Sequence, residues 1–145
     1  MNNTSNQYFY INWEDDQKNI YRIGILARID ESYYLKTYTK KINDERDAYS
    51  HGYVGIPGFI PGKLYKSNSE LFDFFKNRVY VDTTLGNNVD YLEELKKLDG
   101  KTWTDSFSIE EMPENFREKC KEVILLIDKQ QQRLESKKDN SKGLE

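Results

Sequence analysis

Alternation of apolar and polar residues in the first third of the chain predicts β-strands. Residues 7–13 are aromatic and β-branched without Pro or Gly, residues 21–28 begin with a period of two, and residues 33–39 follow a short polar turn. Gly24 lies inside the second run, which indicates a bulge or a close backbone approach. Three successive strands joined by short polar segments predict an antiparallel meander.

A capping-box spacing marks the first predicted α-helix. Ser67 and Glu70 have the Ser-x-x-Glu spacing in which the two side chains cap free backbone amides, so we predict a helix over 68–78. Upstream, residues 53–62 contain three glycines and two prolines, which allow at most an edge strand or an ordered loop. A weaker pattern before that segment predicts about two helical turns that end at Gly52.

The second half of the chain is mainly helical by pattern. Asn88 caps a predicted helix over 88–98, and residues 102–109 then alternate as a half-buried strand, with Asp105 on the apolar side. A longer helix is predicted over 114–134. Its apolar stripe consists of Phe116, Cys120, Val123, Ile124, Ile127 and Leu134.

Strands that come early and helices that come late predict an α+β fold rather than a doubly wound sheet. We expect a small antiparallel, partly closed and barrel-like sheet with two short helices and a longer C-terminal helix. One α+β domain should span 7–110, and an amphipathic helix over 111–137 should pack on it. Residues 1–6 and 138–145 are expected to be flexible tails.

Composition narrows the possible functions. The 145 residues include one cysteine and one histidine, which excludes an intramolecular disulfide and leaves too few ligands for a zinc site. The same scarcity removes the usual general base and thiol nucleophile, so we expect no enzyme, metal or cofactor. Neither an apolar run of about 20 residues nor a secretory signal is present, which predicts a cytoplasmic protein that does not enter a membrane.

Charge and aromatic content point to a protein partner. A net charge of −3 lacks the basic excess that phosphate neutralisation requires, so nucleic acid is not expected as a partner. Aromatic residues make up 14% of the chain and include 11 tyrosines, which suit half-buried strands and also interfaces. The sequence does not indicate an oligomeric state.

Three short motifs follow one another along the chain. Residues 21–26 read Tyr-Arg-Ile-Gly-Ile-Leu, residues 71–78 read Leu-Phe-Asp-Phe-Phe-Lys-Asn-Arg, and residues 95–107 contain Gly-Lys-Thr-Trp-Thr-Asp-Ser-Phe. In this order and spacing, over about residues 8–110, they resemble the N-terminal subdomain of HipA-type serine/threonine kinases, the toxins of bacterial HipA/HipB toxin–antitoxin systems.

The resemblance implies an accessory subdomain without kinase activity. Nothing similar to the kinase catalytic loop or its metal-binding Asp follows, and residues 82–84 replace the arginine-proline segment of the family. The chain is similar to the small partner in three-component variants, where this subdomain is a separate protein. The resemblance therefore implies a non-catalytic, protein-binding regulatory module that acts on a HipA-like kinase in trans. The candidate partner-binding residues are Phe72, Phe75, Asn77, Arg78 and Tyr34.

Other interpretations stay open. A HIRAN-like module that binds single-stranded nucleic-acid ends could stack bases on exposed tyrosines, although the acidic charge counts against it. An inhibitor of a host defence protein, encoded by a mobile element, is a third possibility. From packing alone, we expect Phe72 and Phe75 to be structural and Arg78 to be more exposed. The apolar surface over 123–127 must be covered by the protein's own sheet or by another chain.

Overall fold

The computed structural model describes residues 6–39, 47–79, 89–102 and 105–143, with side chains of the last helix described to residue 135. Within these residues the chain has the predicted α+β fold. The strands are β1 Gln7–Glu14, β2 Ile20–Ile29, β3 Ser32–Thr37, β4 Leu64–Asn68 and β5 Phe107–Glu111. The α-helices are α1 Asp73–Lys76, α2 Tyr91–Lys97 and α3 Glu114–Gly143, and a 3₁₀ turn spans Ala48–His51.

The five strands form one antiparallel sheet in the order β4-β3-β2-β1-β5. Strands β1 to β3 are the predicted meander, and β5 returns late in the chain to pair with β1. This order is that of an open sheet with β4 and β5 at its ends. The main apolar cluster combines strand residues with residues of α1 and α2, and it includes Phe9, Ile11, Leu26, Leu35, Phe75, Leu92 and Leu95.

Gly24 marks a β-bulge, as the sequence predicts. Ile11 is opposite Gly24, whereas Asn12 is opposite Arg22, so the register between β1 and β2 shifts at this point. A Cβ atom at Gly24 would lie 2.5 Å from the carbonyl oxygen of Lys36 in β3. Only glycine leaves room for so close a backbone approach between β2 and β3.

The capping box predicted at Ser67 is wrong. Ser67 belongs to β4, where its backbone pairs with Tyr33 of β3, and Ser69 takes a φ of +66° that a helix does not accept. The helix begins only at Asp73 and has one turn, with Phe72 as an N-cap that makes no side-chain hydrogen bond. Backbone pairing with β3 therefore overrides the local helix signal.

Helix α2 starts at a carboxylate that also contacts the sheet. Asp90 is its N-cap and accepts hydrogen bonds from the backbone N–H groups of Leu92 and Glu93. Asn88, the predicted cap, lies outside the described residues. The guanidinium of Arg28, whose side chain is 7% exposed, donates to both carboxylate oxygens of Asp90 at 3.0 Å. One carboxylate thus joins the start of α2 to strand β2.

The chain divides into two compact units, Met1–Met112 and Pro113–Glu145. The second unit consists of α3, which continues to Gly143, past the boundary predicted at 137. No helix in the described part of the chain combines the length and the hydrophobicity that a bilayer span requires.

Candidate functional site

The predicted partner-binding residues do not form one exposed surface. Phe75 and Tyr34 are buried, with 1% and 4% of their surface exposed, and the burial expected for Phe75 is confirmed. Phe72 is half-buried, with its ring edge against Phe59 at a centroid distance of 5.7 Å. Asn77 is exposed at the end of α1. Phe72 and Phe75 therefore pack within the chain and hold α1 in place.

Arg78 differs most from expectation. Its side chain is 5% exposed, so the predicted exposure is wrong. Nη1 and Nη2 donate to the two carboxylate oxygens of Asp105 at 2.6 and 2.8 Å. Nε donates to the carbonyl oxygen of Gly100 at 2.8 Å, and Nη2 also reaches the carbonyl oxygen of Phe107 at 3.1 Å. We name this set of contacts the Arg78 clamp.

The clamp accounts for the position of Asp105 on the apolar side of its segment. Burial raises the pKa of the Asp105 carboxyl, but hydrogen bonds from Arg78 and from the Phe107 N–H, together with the charge of Arg78, lower the pKa overall. The carboxylate is therefore held in its charged form beside the guanidinium. All three guanidinium nitrogens donate within the chain, so the clamp is structural.

A second group of polar and aromatic residues surrounds an open cleft. The cleft has a volume of about 560 Å³, within the range of ligand-binding cavities. It is bounded by the start of β2, by the chain just after β3, and by the 3₁₀ turn with Asp47 before it and Tyr53 after it. We name it the aromatic cleft; the residues that matter most are Ile20, Tyr21, Tyr38, Asp47, Tyr49 and Tyr53.

The 3₁₀ turn positions three of these side chains. Asp47 is its N-cap, and Oδ1 accepts the backbone N–H of Tyr49 at 3.0 Å. Gly52 ends the turn with a φ of +105°, as its place in the sequence predicts, and its N–H bonds to the carbonyl of Ala48. Tyr53 follows directly, so its ring meets the edge of Tyr49 at a centroid distance of 4.7 Å.

Aromatic contacts connect the cleft to the sheet. Trp13 of β1 lies 6.0 Å from Tyr21 and 5.7 Å from Tyr53, measured between ring centroids. His51 is exposed and stacks on Tyr21 at 5.4 Å. The Tyr21 hydroxyl donates to Asp15 at 3.0 Å. These contacts hold the rings as a wall, since each ring has at least one aromatic neighbour.

Three polar atoms of residues that line the cleft are buried without a hydrogen-bond partner: Asp47 Oδ2, Tyr49 Oη and Tyr53 Oη. The two hydroxyls are close enough to affect each other's pKa, but they do not meet the geometry of a hydrogen bond. Burial is the main cause that raises the pKa of the Tyr49 hydroxyl, and the charge of Asp47 adds to it. Burial is also the main cause that raises the pKa of the Tyr53 hydroxyl, and the neighbouring Tyr49 adds to it. Both phenols are therefore neutral near physiological pH.

The sequence analysis missed this site. Asp47 lies in a polar segment with a weak helical pattern, and its carboxylate has no local feature that separates it from a solvated acid. The available signal was the density of tyrosines around the Gly52 stop. Among the described residues, no group of three His, Cys, Asp or Glu side chains is arranged to hold a metal ion.

Comparison of the chain with protein-family models, with curated proteins and with solved structures finds no match.

Proposed function

We propose that this chain is a non-catalytic, protein-binding regulatory module, part of a bacterial HipA-like toxin–antitoxin system, that acts in the cytoplasm on a HipA-like kinase in trans. The order of the three motifs over about residues 8–110 supports the choice of system. The aromatic cleft is the observation that carries the choice of a binding function.

The rim of the cleft has the composition of an interface. Ile20 is 66% exposed and Tyr38 is 38% exposed, and both line the cleft. Tyrosine is enriched among the residues that dominate binding energy, because it offers an apolar body and a polar tip. An exposed isoleucine beside it adds apolar area that a partner would cover.

We assign the partner contact to this cleft rather than to the 72–78 block. In that block Arg78 uses all its nitrogens within the chain and Phe75 is buried, so neither side chain is free to meet a partner. Asn77 remains an exposed candidate.

Copurification of the tagged full-length chain from its native host, followed by mass spectrometry, tests the proposal. We expect a stoichiometric HipA-like kinase. Ile20→Ser should reduce its recovery about tenfold or more, because the change removes apolar area at the rim. Ile60→Ser is the matched control: Ile60 is 63% exposed but does not line the cleft, so recovery should not change.

Two results would contradict the proposal. One is equal recovery of the kinase with both serine variants, which would place the interface elsewhere. The other is recovery of nucleic acid without a stoichiometric protein, together with salt-sensitive binding of the purified chain to single strands.

The second result would favour the HIRAN-like alternative. A specific feature supports that alternative: the ammonium groups of Lys63 and Lys66 lie 5.1 and 5.7 Å from the ring centroids of Tyr65 and Tyr34. Cations interleaved with aromatic rings are typical of single-strand binders. The net charge of −3 argues against it, because such proteins need a basic groove along the strand.

A further inference from the structure

Helix α3 exposes a face with a regular spacing. Its residues recur at alternating intervals of three and four positions, which is the spacing of a seam along which two helices pack side by side. The apolar members of the face are 43–58% exposed, so they are open to a partner. We name it the α3 face; it consists of the exposed residues Phe116, Lys119, Val123, Leu126, Gln130 and Arg133.

Two oppositely charged residues lie along one flank of this face. Glu122 and Lys129 are both exposed and are seven positions apart, so they occupy the same place in successive repeats of the seam. Neither makes an ion pair within the described residues. One acid and one base at equivalent positions form a pattern that is complementary to its own reverse.

A twofold axis brings the two halves of the face together. When two copies of α3 run antiparallel, seam residues whose numbers add up to 249 lie opposite each other. Val123 then packs on Leu126 of the second copy at the centre, and each such pair occurs twice. On the flank, Glu122 of each copy lies opposite Lys129 of the other copy, which places two ion pairs at the edge of the contact.

We propose that α3 pairs antiparallel with the α3 of a second copy of this chain. Beyond the central apolar pairs, Phe116 lies opposite Arg133, whose guanidinium can stack on the ring. Lys119 lies opposite Gln130, whose side-chain carbonyl can accept a hydrogen bond from the ammonium group. Every charged residue of the face and its flank therefore meets a suitable group from the second copy.

A parallel pair lacks this complementarity. It would place Lys119 against Lys119 and Arg133 against Arg133 in the same layers of the seam, and like charges at close range repel. The flank would also lose its ion pairs, because Glu122 and Lys129 would no longer lie opposite each other. The charges thus select the antiparallel direction, and they select a second copy as the occupant of the face.

Sedimentation equilibrium of the full-length chain over about a hundredfold range of concentration tests the pairing. We expect twice the mass of one chain, falling towards the mass of one chain on dilution. Leu126→Ser should raise the dissociation constant about tenfold or more, because the change removes two apolar contacts from the centre. Leu125→Ser is the matched control, since Leu125 is 38% exposed on α3 but lies off the face. A single-chain mass at every concentration would overturn the proposal, as would an equal effect of the two variants.

Charge reversal tests the direction of the pair. Glu122→Lys alone places lysine against Lys129 at both edges, so the dissociation constant should rise about tenfold. Lys129→Glu alone should act in the same way, and the two changes combined in one chain should restore the dimer. Both residue types are good helix formers, so α3 should persist, which far-UV circular dichroism checks. Glu118→Lys is the control, because Glu118 is exposed on α3 away from the face and its flank. A double variant as weak as the single ones would contradict antiparallel pairing.

This inference does not depend on the kinase proposed above. If the kinase is recovered while the purified chain has the mass of one copy, the proposed function stands and the pairing of α3 fails. If the chain pairs with the expected dependence on Leu126 and Glu122 but no kinase is recovered, the pairing stands and the proposed partner is wrong. A purified chain of single-chain mass that loses the kinase on Leu126→Ser would assign the α3 face to the kinase and overturn the inference.

Discussion

The Arg78 clamp and the aromatic cleft contain similar chemical groups. Each places a charged side chain beside aromatic rings, and Phe107 contacts both: its carbonyl accepts from Arg78, and its ring lies 6.1 Å from Tyr53. In the clamp the guanidinium has a carboxylate and two carbonyls around it. In the cleft, within the described residues, the Asp47 carboxylate accepts a hydrogen bond on one oxygen, from the backbone N–H of Tyr49.

The difference separates stability from binding. A charge whose hydrogen bonds are complete within the chain contributes to folding, and its loss leaves the other partner unpaired. A buried charge whose hydrogen bonds are incomplete costs stability. We therefore expect clamp variants to lower the free energy of unfolding and cleft variants to change binding with little effect on folding.

The largest expected effect is that of Arg78→Met. The methionine stem replaces part of the packing against Phe74, whose ring centroid is 5.2 Å from the guanidinium carbon, but Asp105 loses its cation. We expect the free energy of unfolding to fall by about 2–3 kcal/mol in urea denaturation, below the full value for a buried pair because Asp105 is 31% exposed. Arg78→Lys keeps the positive charge but not the planar guanidinium, so its free energy of unfolding should lie between those of the parent and of Arg78→Met. If Arg78→Met lowers the free energy of unfolding by less than about 0.5 kcal/mol, the clamp does not stabilise the fold and does not differ from the cleft in this respect.

Asp105→Asn has a smaller effect that depends on pH. The pKa of Asp105 in the folded protein is below its ordinary value of 3.8, so the charged carboxylate stabilises the fold above that value. This stability is lost as pH falls through the folded-state pKa. Near neutral pH we expect the variant to lose about 1 kcal/mol or less, because the carboxylate is partly exposed.

Urea denaturation of both proteins across the acid range measures this linkage. The parent should lose stability relative to Asp105→Asn as pH falls below about 4, and the two curves should converge at lower pH. Parallel curves for parent and variant would mean that the pKa of Asp105 is not lowered in the folded protein.

The two regions also differ in what the sequence could predict. Strands β1 to β3 and the bulge at Gly24 follow from local alternation and from one glycine, and the structure confirms them. The capping box at Ser67 failed because pairing with β3 is a tertiary effect that local spacing does not encode. Arg78 and Asp105 are 27 residues apart, so local spacing could not connect them. The sequence indicated a buried partner only through the position of Asp105 on the apolar side of its segment.

The cleft was harder to predict for a physical reason. The unpaired oxygen of Asp47 has meaning only after folding has buried it, and its sequence neighbourhood is that of an ordinary polar turn.

Tyr53→Phe has the smallest expected effect on stability, and its sign distinguishes the two regions. Tyr53 is 3% exposed and its hydroxyl is unpaired, whereas its ring contacts Trp13 at a centroid distance of 5.7 Å. Phenylalanine keeps the ring and removes an unsatisfied polar atom, so the free energy of unfolding should stay the same or rise by about 1 kcal/mol. Tyr21→Phe is the matched control: its hydroxyl donates to Asp15 at 3.0 Å, so its removal should lower the free energy of unfolding. If Tyr53→Phe loses as much stability as Tyr21→Phe, the Tyr53 hydroxyl has a partner in solution and the cleft is as complete as the clamp. If it loses none, the Tyr53 hydroxyl does not contribute to the stability of the fold.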